Sequence, residues 1–253
     1  MNRFDGKVVM VTGAASGIGL ASATEFAKEG GTVVATDVNA AALEAAAAGL
    51  KAEGLSVEAA VLDVTDRAAW DDCVDGIVGR HGRLDVLFNN AGIGEGVPFL
   101  KMTEGNWRSM LDTNLDGAWR VAHRAAVAMA KNGKGGNIVN IASILGLRVG
   151  QGLSHYAVAK AGVVQLTKAM ALELARDNIR VNALAPGYFR TEMKNDYFES
   201  EKGQEYIKQK VPMRRLGQLE ELSGPLLLLA SEAGSFITGT VINVDGGHLN
   251  NSL

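Results

Sequence analysis

The chain is poor in features that mark several classes of protein. It has one cysteine, Cys73, and four prolines among 253 residues. A single cysteine excludes an internal disulfide and a thiolate metal cage, so we expect Cys73 to be a small packing residue. The formal net charge is −3 and the sequence has no basic run. Both observations argue against a nucleic-acid groove or an anionic membrane surface as partner.

Long hydrophobic runs are also missing. The longest purely apolar run, Pro225 to Ala230, is too short to span a bilayer. The first residues pass directly into a short Val-rich run without the pattern of a signal peptide, so we expect a cytoplasmic protein. The histidines are scattered without ligand spacing. We therefore expect no metal site and interpret each histidine as a surface or capping residue.

A regular alternation of short and long segments organises the chain. The short runs are rich in β-branched residues, and helical patterns lie between them at residues 17–29, 39–53, 66–80, 104–132, 154–176 and 219–230. The short runs are Lys7–Thr12, Thr32–Thr36, Val57–Leu62, Leu84–Asn89, Asn137–Ala142, Ile179–Leu184 and Val241–Val244. This alternation predicts an α/β fold, a doubly wound parallel sheet of about seven strands with helices on both faces.

We expect residues 1–253 to form one such domain, because the length suits a single large α/β core and no linker or repeat divides the chain. Residues 187–215 are polar, aromatic and long for a connection. They would follow the carboxyl end of a strand, where open α/β sheets bind ligands. We predict that they form a substrate-binding lid within the domain.

A glycine-rich turn follows the first predicted strand. Its glycines are Gly13, Gly17 and Gly19, with Ser16 and Ile18 between them, and a helical pattern opens at once. Glycines allow a tight turn and a close approach of the backbone to a pyrophosphate, whose charge the helix N-terminus stabilises. The spacing differs from the standard Gly-x-Gly-x-x-Gly, but the order of strand, turn, helix and second strand predicts a dinucleotide site.

Asp37 stands at the end of the second predicted strand, where an acid can accept hydrogen bonds from ribose hydroxyls. Its carboxylate would repel a 2′-phosphate. No Arg or Lys stands at Ala14, Ala15, Val38 or Asn39 to bind one. We therefore expect NAD(H) rather than NADP(H) as the cofactor.

Three residues form the candidate catalytic group. Tyr156 and Lys160 stand four apart in a helical pattern, so they share one helix face, and Ser143 ends the preceding strand. An ammonium beside a phenol favours the phenolate, so we expect the pKa of Tyr156 to fall towards the range of a general acid or base. Such a group suits general acid–base catalysis.

Taken together, the motifs resemble those of the short-chain dehydrogenase/reductase family, in its compact single-domain branch. The resemblance covers nearly the whole chain. The motifs are Thr12-Gly13-x-x-x-Gly17-Ile18-Gly19, Asp63-Val64, Asn89-Asn90-Ala91-Gly92, Asn114, Ser143, Tyr156-x-x-x-Lys160, Pro186-Gly187 with Thr191, and Val244-Asp245-Gly246-Gly247. The resemblance implies a Rossmann-type fold and an NAD-dependent oxidoreductase.

The resemblance also implies a role for each catalytic residue. Tyr156 would donate and accept the proton of the substrate oxygen, and Ser143 would hydrogen-bond the same oxygen. Lys160 would bind the nicotinamide ribose and acidify Tyr156. Asn114 would bend its helix and hold a water that links Lys160 to solvent.

Cofactor contacts are implied by the same resemblance. Asp63 would contact the adenine, with Val64 beside it, and Asn90 the region of the adenosine ribose, with Ala91 and Gly92 following. The nicotinamide amide would be held by Pro186, Gly187, Phe189 and Thr191. Phe189 departs from the Val or Ile that is common in the family, so the wall of the pocket is expected to differ there.

The substrate is left open by the sequence. Candidate substrate-binding residues are mostly apolar and favour a hydrophobic secondary alcohol or ketone; they are Leu145, Leu153, Tyr188, Met193 and Tyr197. The polar residues Glu95, Gln151, Arg190 and Lys194 keep a polyol, sugar or carboxylated substrate open. A 3-oxoacyl thioester reductase is a further alternative, and a non-catalytic NAD(H)-binding scaffold is the alternative outside enzymology.

Assembly is a further expectation. The helices that begin near Glu104 and Ser154 are long, and the second carries apolar residues such as Val163 and Leu166. The family resemblance implies a homotetramer built from paired helices of this kind and from the last strand near Val241.

Overall fold

The fold is a parallel sheet of seven strands, in a computed structural model that describes residues 2–190 and 198–251. The strands are β1 (Val8–Thr12), β2 (Thr32–Asp37), β3 (Val57–Val61), β4 (Val86–Asn89), β5 (Gly136–Ile141), β6 (Ile179–Pro186) and β7 (Val241–Val244). Their order in the sheet is β3-β2-β1-β4-β5-β6-β7, and every neighbouring pair is parallel. The predicted fold class is confirmed.

Helices connect the strands. They are α1 (Gly17–Lys28), α2 (Ala40–Ala52), α3 (Arg67–His81), α4 (Glu104–Leu111), α5 (Ala118–Asn132), α6 (Ser154–Leu174), α7 (Glu201–Lys210) and α8 (Ser223–Ala230). The helix predicted at residues 104–132 is divided by a π-helical segment, Asp112–Gly117. Helix α7 was not predicted, because its run of charged residues lies in the segment interpreted as a lid.

Both faces of the sheet are covered, as the continuous apolar strands predict. Val9 and Val11 of β1 pack into one core with α1, α2 and α8. Val8 and Met10 of the same strand pack into a second core with α3 and α5. Successive side chains of a strand point to opposite faces, so β1 contributes to two cores and is almost fully buried.

A buried chain of polar side chains joins the middle of the sheet to α6. Asn89 donates from Nδ2 to Asn140 Oδ1 (3.0 Å) and to the carbonyl of Ala118 (2.8 Å). Asn140 in turn donates to Thr167 Oγ1 over 3.0 Å. Because unpaired buried polar groups are costly, these bonds favour one arrangement of β4, β5 and α6, which positions the helix that carries Tyr156 and Lys160.

The strand order reverses direction at β1, which lies between β2 and β4. Open α/β sheets bind ligands at this switch point, outside the carboxyl ends of the strands. Within the described residues, no helix is long and apolar enough to cross a membrane.

Candidate active site

The turn from β1 to α1 is shaped to receive an anion. Gly13 and Gly17 have φ angles of +66° and +54°, which favour glycine. A Cβ on Gly19 would lie 1.9 Å from the carbonyl oxygen of Gly13, so only glycine permits this approach. The Ser16 side chain makes no capping hydrogen bond, and the first turn of α1 contains no acid. The first N–H groups of the helix therefore remain available for a pyrophosphate.

Asp37 lies beside this turn at the end of β2. Its Oδ2 accepts a hydrogen bond from the N–H of Ala15 (3.1 Å), and its Oδ1 accepts one from the N–H of Asn39 (2.9 Å). The neighbouring Val38 is exposed. The carboxylate is thus fixed against the glycine turn, with accepting capacity left on both oxygens.

Thr12 organises the opposite side of the turn, and the sequence reasoning did not assign it a role. Its buried Oγ1 accepts hydrogen bonds from the N–H groups of Asn90 and Ala91, both over 2.9 Å. The Asn90 side chain donates back to the carbonyl of Thr12 (2.9 Å) and to that of Gly13 (3.2 Å). The ends of β1 and β4 are therefore locked together. A Thr at the end of a strand predicted to be buried was the sequence signal that could have indicated this role.

Asp63 and Val64 follow β3. Asp63 accepts at Oδ1 from the N–H and the hydroxyl of Thr65 (2.8 and 2.7 Å), which fixes the loop. Val64 is buried, and a Cβ on Gly117 would lie 2.8 Å from its Cγ2. The π-helical segment therefore passes directly against the predicted adenine-side loop.

The predicted catalytic residues come together at the carboxyl ends of β4 and β5. The Ser143 side chain hydrogen-bonds the Tyr156 phenol, and its Oγ accepts from the N–H of Leu145 over 3.1 Å. The Nζ of Lys160 lies 5.8 Å from the centroid of the Tyr156 ring and donates to the carbonyl of Ile141 over 2.9 Å. Lys160 is buried, with 4% of its surface exposed.

Asn114 lies in the π-helical segment and reaches the loop after β4. Its Oδ1 accepts from the N–H of Ile93, and its Nδ2 donates to the carbonyl of the same residue, both over 2.8 Å. A Cβ on Gly92 would lie 2.6 Å from Asn114 Oδ1 and 3.7 Å from Lys160 Nζ. Gly92 therefore brings the amide and the ammonium to one place.

The predicted fall in the pKa of Tyr156 is wrong for this arrangement. Burial raises the pKa of the phenol, and the hydrogen bond with Ser143 lowers it by less. Lys160 does not offset the burial, because its ammonium points at the Ile141 carbonyl and is itself buried. Burial lowers the pKa of Lys160 to about 8, so the side chain remains mostly protonated at pH 7.

Pro186 and Gly187 end β6 beside the last strand. A Cβ on Gly187 would lie 2.8 Å from the Cα of Asp245. Phe189 is 8% exposed and packs against Gly217 in the core on the α8 side, so its side chain fills the interior while its backbone remains at the edge. The predicted cofactor residue Thr191 lies outside the described residues.

The predicted substrate residues are divided between two segments. Leu145 and Leu153 flank Gly150 on the loop before α6, at 3.4 and 3.5 Å from a Cβ built on that glycine. The Tyr188 ring packs against Phe198 and His248, with centroid distances of 5.3 and 5.2 Å. Beside Tyr188 lies a cavity of about 200 Å³. Met193, Lys194 and Tyr197 fall outside the described residues.

Two histidines interpreted as surface or capping residues are buried. His155 is fully buried next to Tyr156, and neither ring nitrogen has a hydrogen-bond partner. His248 is 5% exposed and its Nδ1 has no partner. The spacing of the histidines in the sequence does not indicate whether they are buried. For His248, burial depends on how the turn after β7 folds back. Among the described residues, no group of three His, Cys, Asp or Glu side chains is placed to hold a metal.

Known proteins resemble this chain over nearly its full length. A family model described as enoyl-(acyl carrier protein) reductase matches residues 13–248. The 3-oxoacyl-[acyl-carrier-protein] reductase of Thermotoga maritima is 42% identical, over 97% of this chain and 98% of the relative.

Solved structures give the same result. A short-chain type dehydrogenase/reductase from Mycobacterium marinum has a TM-score of 0.92 at 37% identity, covering 98% of this chain and 97% of the other. A gluconate 5-dehydrogenase from Burkholderia cenocepacia, solved in complex with NADP and tartrate, has a TM-score of 0.94 at 34% identity, covering 99% and 98%.

Proposed function

The chain belongs to the short-chain dehydrogenase/reductase family of oxidoreductases, and on that premise we propose that it interconverts a secondary alcohol and a ketone with Tyr156 as the general acid and base. The observation that carries this proposal is the convergence of Ser143, Tyr156, Lys160 and Asn114 at one edge of the sheet. A nicotinamide dinucleotide, when bound, supplies or accepts the hydride.

The residues of the dinucleotide site fit such a cofactor. The N-terminus of α1 can bind the pyrophosphate, Asp37 the adenosine ribose, and the loops at Asp63–Val64 and Asn90–Gly92 the adenosine side. Pro186, Gly187, Phe189 and Thr191 are proposed for the nicotinamide amide. Lys160 is proposed to bind the nicotinamide ribose.

Ser143 and Tyr156 are proposed to act together on the substrate oxygen. Their mutual hydrogen bond directs both hydroxyls to one point, where they stabilise a developing alkoxide. Tyr156 transfers the proton to or from that oxygen. The protonated Lys160 lies beside the Tyr156 ring without offsetting the burial of the phenol, and Asn114 fixes the loop after β4. Because burial holds the pKa of Tyr156 high, added positive charge at the site is needed before the phenol ionises near neutral pH.

NAD(H) is the cofactor that we propose. Asp37 is held beside the glycine turn by two backbone hydrogen bonds, and no basic side chain stands at residues 14, 15, 38 or 39. The gluconate 5-dehydrogenase of Burkholderia cenocepacia has NADP bound, so relatives do not decide this point for the chain. The proposal depends on Asp37 alone.

Two substrate classes are favoured by specific relatives. Similarity to a 3-oxoacyl-[acyl-carrier-protein] reductase supports an acyl thioester, and similarity to a gluconate 5-dehydrogenase supports a polyol or sugar acid. Leu145, Leu153 and Tyr188 are proposed to contact the substrate and do not distinguish the two classes.

The decisive experiment measures absorbance at 340 nm with NAD and NADP over a panel of alcohols, and with NADH and NADPH over ketones and thioesters. Tyr156→Phe should lower kcat by about 10³-fold or more, because general acid–base catalysis and oxyanion stabilisation are lost together. NADH affinity, followed by fluorescence, should stay within about threefold of wild type, since the aromatic ring is kept and only the hydroxyl is removed. Equal turnover in the variant would contradict the mechanism. Tight NADH binding without turnover of any panel member would favour a non-catalytic scaffold.

We also propose a homotetramer. Val163 is buried inside the single chain, so the predicted helix face is corrected; the exposed apolar residues of α5 and α6 are Trp119, Val127, Val158 and Leu172. These residues give α5 and α6 a surface for pairing with a second copy. Sedimentation at micromolar concentration that shows only a 26.6 kDa species would contradict it.

A further inference from the structure

Arg148 is a shielded cation without an acidic partner in the part of the chain that the structure describes. Among the described residues, four other Lys and Arg side chains that are partly buried form ion pairs: Lys7, Arg83, Arg120 and Arg124. Arg180 donates instead to three backbone carbonyls. The two that remain are Lys160 and Arg148, and both lie at the carboxyl edge of the sheet, where the active site is.

The position of Arg148 ties it to the substrate side of that edge. It lies on the loop between Ser143 and Tyr156, which also contains Leu145 and Leu153. Its Nη1 donates to the carbonyl oxygen of His248 over 2.8 Å, so the guanidinium spans from this loop to the last turn of the chain. A guanidinium has five N–H donors. One of them has an acceptor among the described residues, which leaves the fork geometry available for a ligand.

His248 provides a second unpaired polar group at the same place. Its Nδ1 has no partner, and its ring lies against the Tyr188 ring. Burial and the Arg148 charge lower the pKa of His248, so the imidazole is neutral at pH 7 and Nδ1 can donate or accept. Asp245 carries a charge that acts on His248, but it forms no ion pair with Arg148 among the described residues. Its two oxygens accept from the N–H groups of Gly247 (2.9 Å) and Leu249 (2.7 Å).

We infer that Arg148, with His248 beside it, recognises an anionic group of the substrate, a carboxylate or a phosphate, and so selects charged alcohols or ketones over neutral ones. The inference rests on the proposed function. A shielded cation without a counter-ion is unfavourable, and a carboxylate or phosphate that binds it bidentately removes that cost. Both substrate classes suggested above contain such a group, in the carboxylate of a sugar acid or the phosphates of a thioester carrier.

Two matched substrate pairs test this and distinguish the sources. Gluconate and sorbitol differ by a carboxylate, and acetoacetyl-CoA and acetoacetyl-N-acetylcysteamine differ by phosphates. Each pair is assayed with wild type, Arg148→Gln and Arg148→Lys. Arg176→Gln is the control, because it removes the same charge from an exposed position at the opposite edge of the sheet. The readout is the ratio of kcat/KM for the anionic member to that for the neutral member.

Arg148→Gln should lower this ratio by about tenfold or more for one pair, since a charge-assisted hydrogen bond is lost. Arg148→Lys keeps the charge but not the fork, so its ratio should fall between those of wild type and Arg148→Gln, and Arg176→Gln should leave the ratio unchanged. The pair that responds identifies carboxylate or phosphate. An unchanged ratio for both pairs in Arg148→Gln overturns the inference.

A binding measurement separates this result from failure of the proposed function. If wild type turns over no member of either pair and no member of the alcohol, ketone and thioester panel, the proposed function is contradicted. The NADH complex is then titrated with gluconate and with CoA, and its melting temperature is followed. Stabilisation in wild type that is reduced in Arg148→Lys and lost in Arg148→Gln supports anion recognition. Equal shifts in all three proteins, or no shift in wild type, overturn it.

Discussion

The two edges of the sheet both contain charged side chains and a cavity, but they differ in how the charges are paired. At the amino edge, a cavity of about 640 Å³ is lined by Asp85 and Arg180 among others. Arg180 donates to three carbonyls, and Asp85 accepts from the N–H of Val8 over 2.8 Å while it pairs with Arg83. At the carboxyl edge, the cavity beside Tyr188 is about 200 Å³.

At the carboxyl edge, Lys160 and Arg148 are shielded cations without an acidic partner among the described residues, and Ser16 makes no capping hydrogen bond. The contrast concerns these cations alone. Arg215 beside the smaller cavity is ion-paired, and Asn137 in the larger cavity has a buried Oδ1 without a partner in the described part of the chain. A saturated polar group stabilises the fold and has little left for a ligand, whereas an unsaturated one costs stability until a ligand binds. The comparison teaches that shielded cations without an acid point to the proposed site more directly than cavity volume does.

Lys160→Met should have the largest effect of the variants that test this comparison. If cations without an acid serve function, the change should lower activity without lowering stability. Methionine fills a similar volume without the charge, so we expect kcat to fall by about 10³-fold, comparable to the loss of a catalytic acid or base. The free energy of unfolding at pH 7 should rise by roughly 1–2 kcal/mol, because the cost of burying the ammonium disappears while one hydrogen bond to Ile141 is lost. Urea unfolding and steady-state kinetics measure both. Loss of stability together with activity would show that Lys160 is a structural cation.

The pH dependence of stability gives the same variant a second readout. The pKa of Lys160 is lowered from 10.5 to about 8 in the fold, so the unfolded chain binds more protons between those two values. The free energy of unfolding of wild type should therefore rise with pH across this window through Lys160. Lys160→Met should lack that component, which appears as a shallower slope from pH 8 to 10.

The sequence predicted the fold well because its signals are local. Apolar runs and glycine turns specify each strand and the first crossover, and the observed strands differ from the predicted ones by no more than two residues at each end. The π-helical segment at Asp112–Gly117 was not predicted. It depends on the side chain of Asn114 bonding to Ile93, some twenty residues away, and on the close approach of Gly117 to Val64.

The motifs predicted which residues lie together at the candidate site. They did not predict properties that depend on contacts in the folded chain. Ser143, Tyr156 and Lys160 converge as predicted, but the raised pKa of Tyr156 follows from burial, which spacing does not reveal. Arg148 was overlooked because its distinguishing property is the lack of an acid, and only the folded chain shows which cations have one. Thr12 was given no role because the two N–H groups that donate to its hydroxyl follow another strand, β4.

Asp85→Asn tests the paired edge. The change keeps the shape but removes the charge that Arg83 and Lys7 face and weakens the acceptor for the N–H of Val8. We expect a loss of about 2–4 kcal/mol in the free energy of unfolding, because a 7% exposed, hydrogen-bonded charge is disrupted. The kcat of the folded enzyme should stay within about twofold at 20 °C. A selective loss of kcat without loss of stability would give the amino edge a functional role and end the comparison.

Asp37→Asn should have the smallest effect of these variants. Asp37 is an acid at the carboxyl edge whose oxygens accept only two hydrogen bonds among the described residues. The amide oxygen can keep one of the hydrogen bonds to Ala15 or Asn39, so stability should change by less than about 1 kcal/mol. Loss of the negative charge removes the repulsion of a 2′-phosphate, and we expect the preference for NAD over NADP in kcat/KM to fall by about tenfold. The control is Asp66→Asn, which removes the same charge from the exposed N-cap of α3 at the same edge. A similar shift in both variants would assign the effect to net charge rather than to Asp37. A wild type that prefers NADP would show that the carboxylate, although held beside the glycine turn, does not select the cofactor.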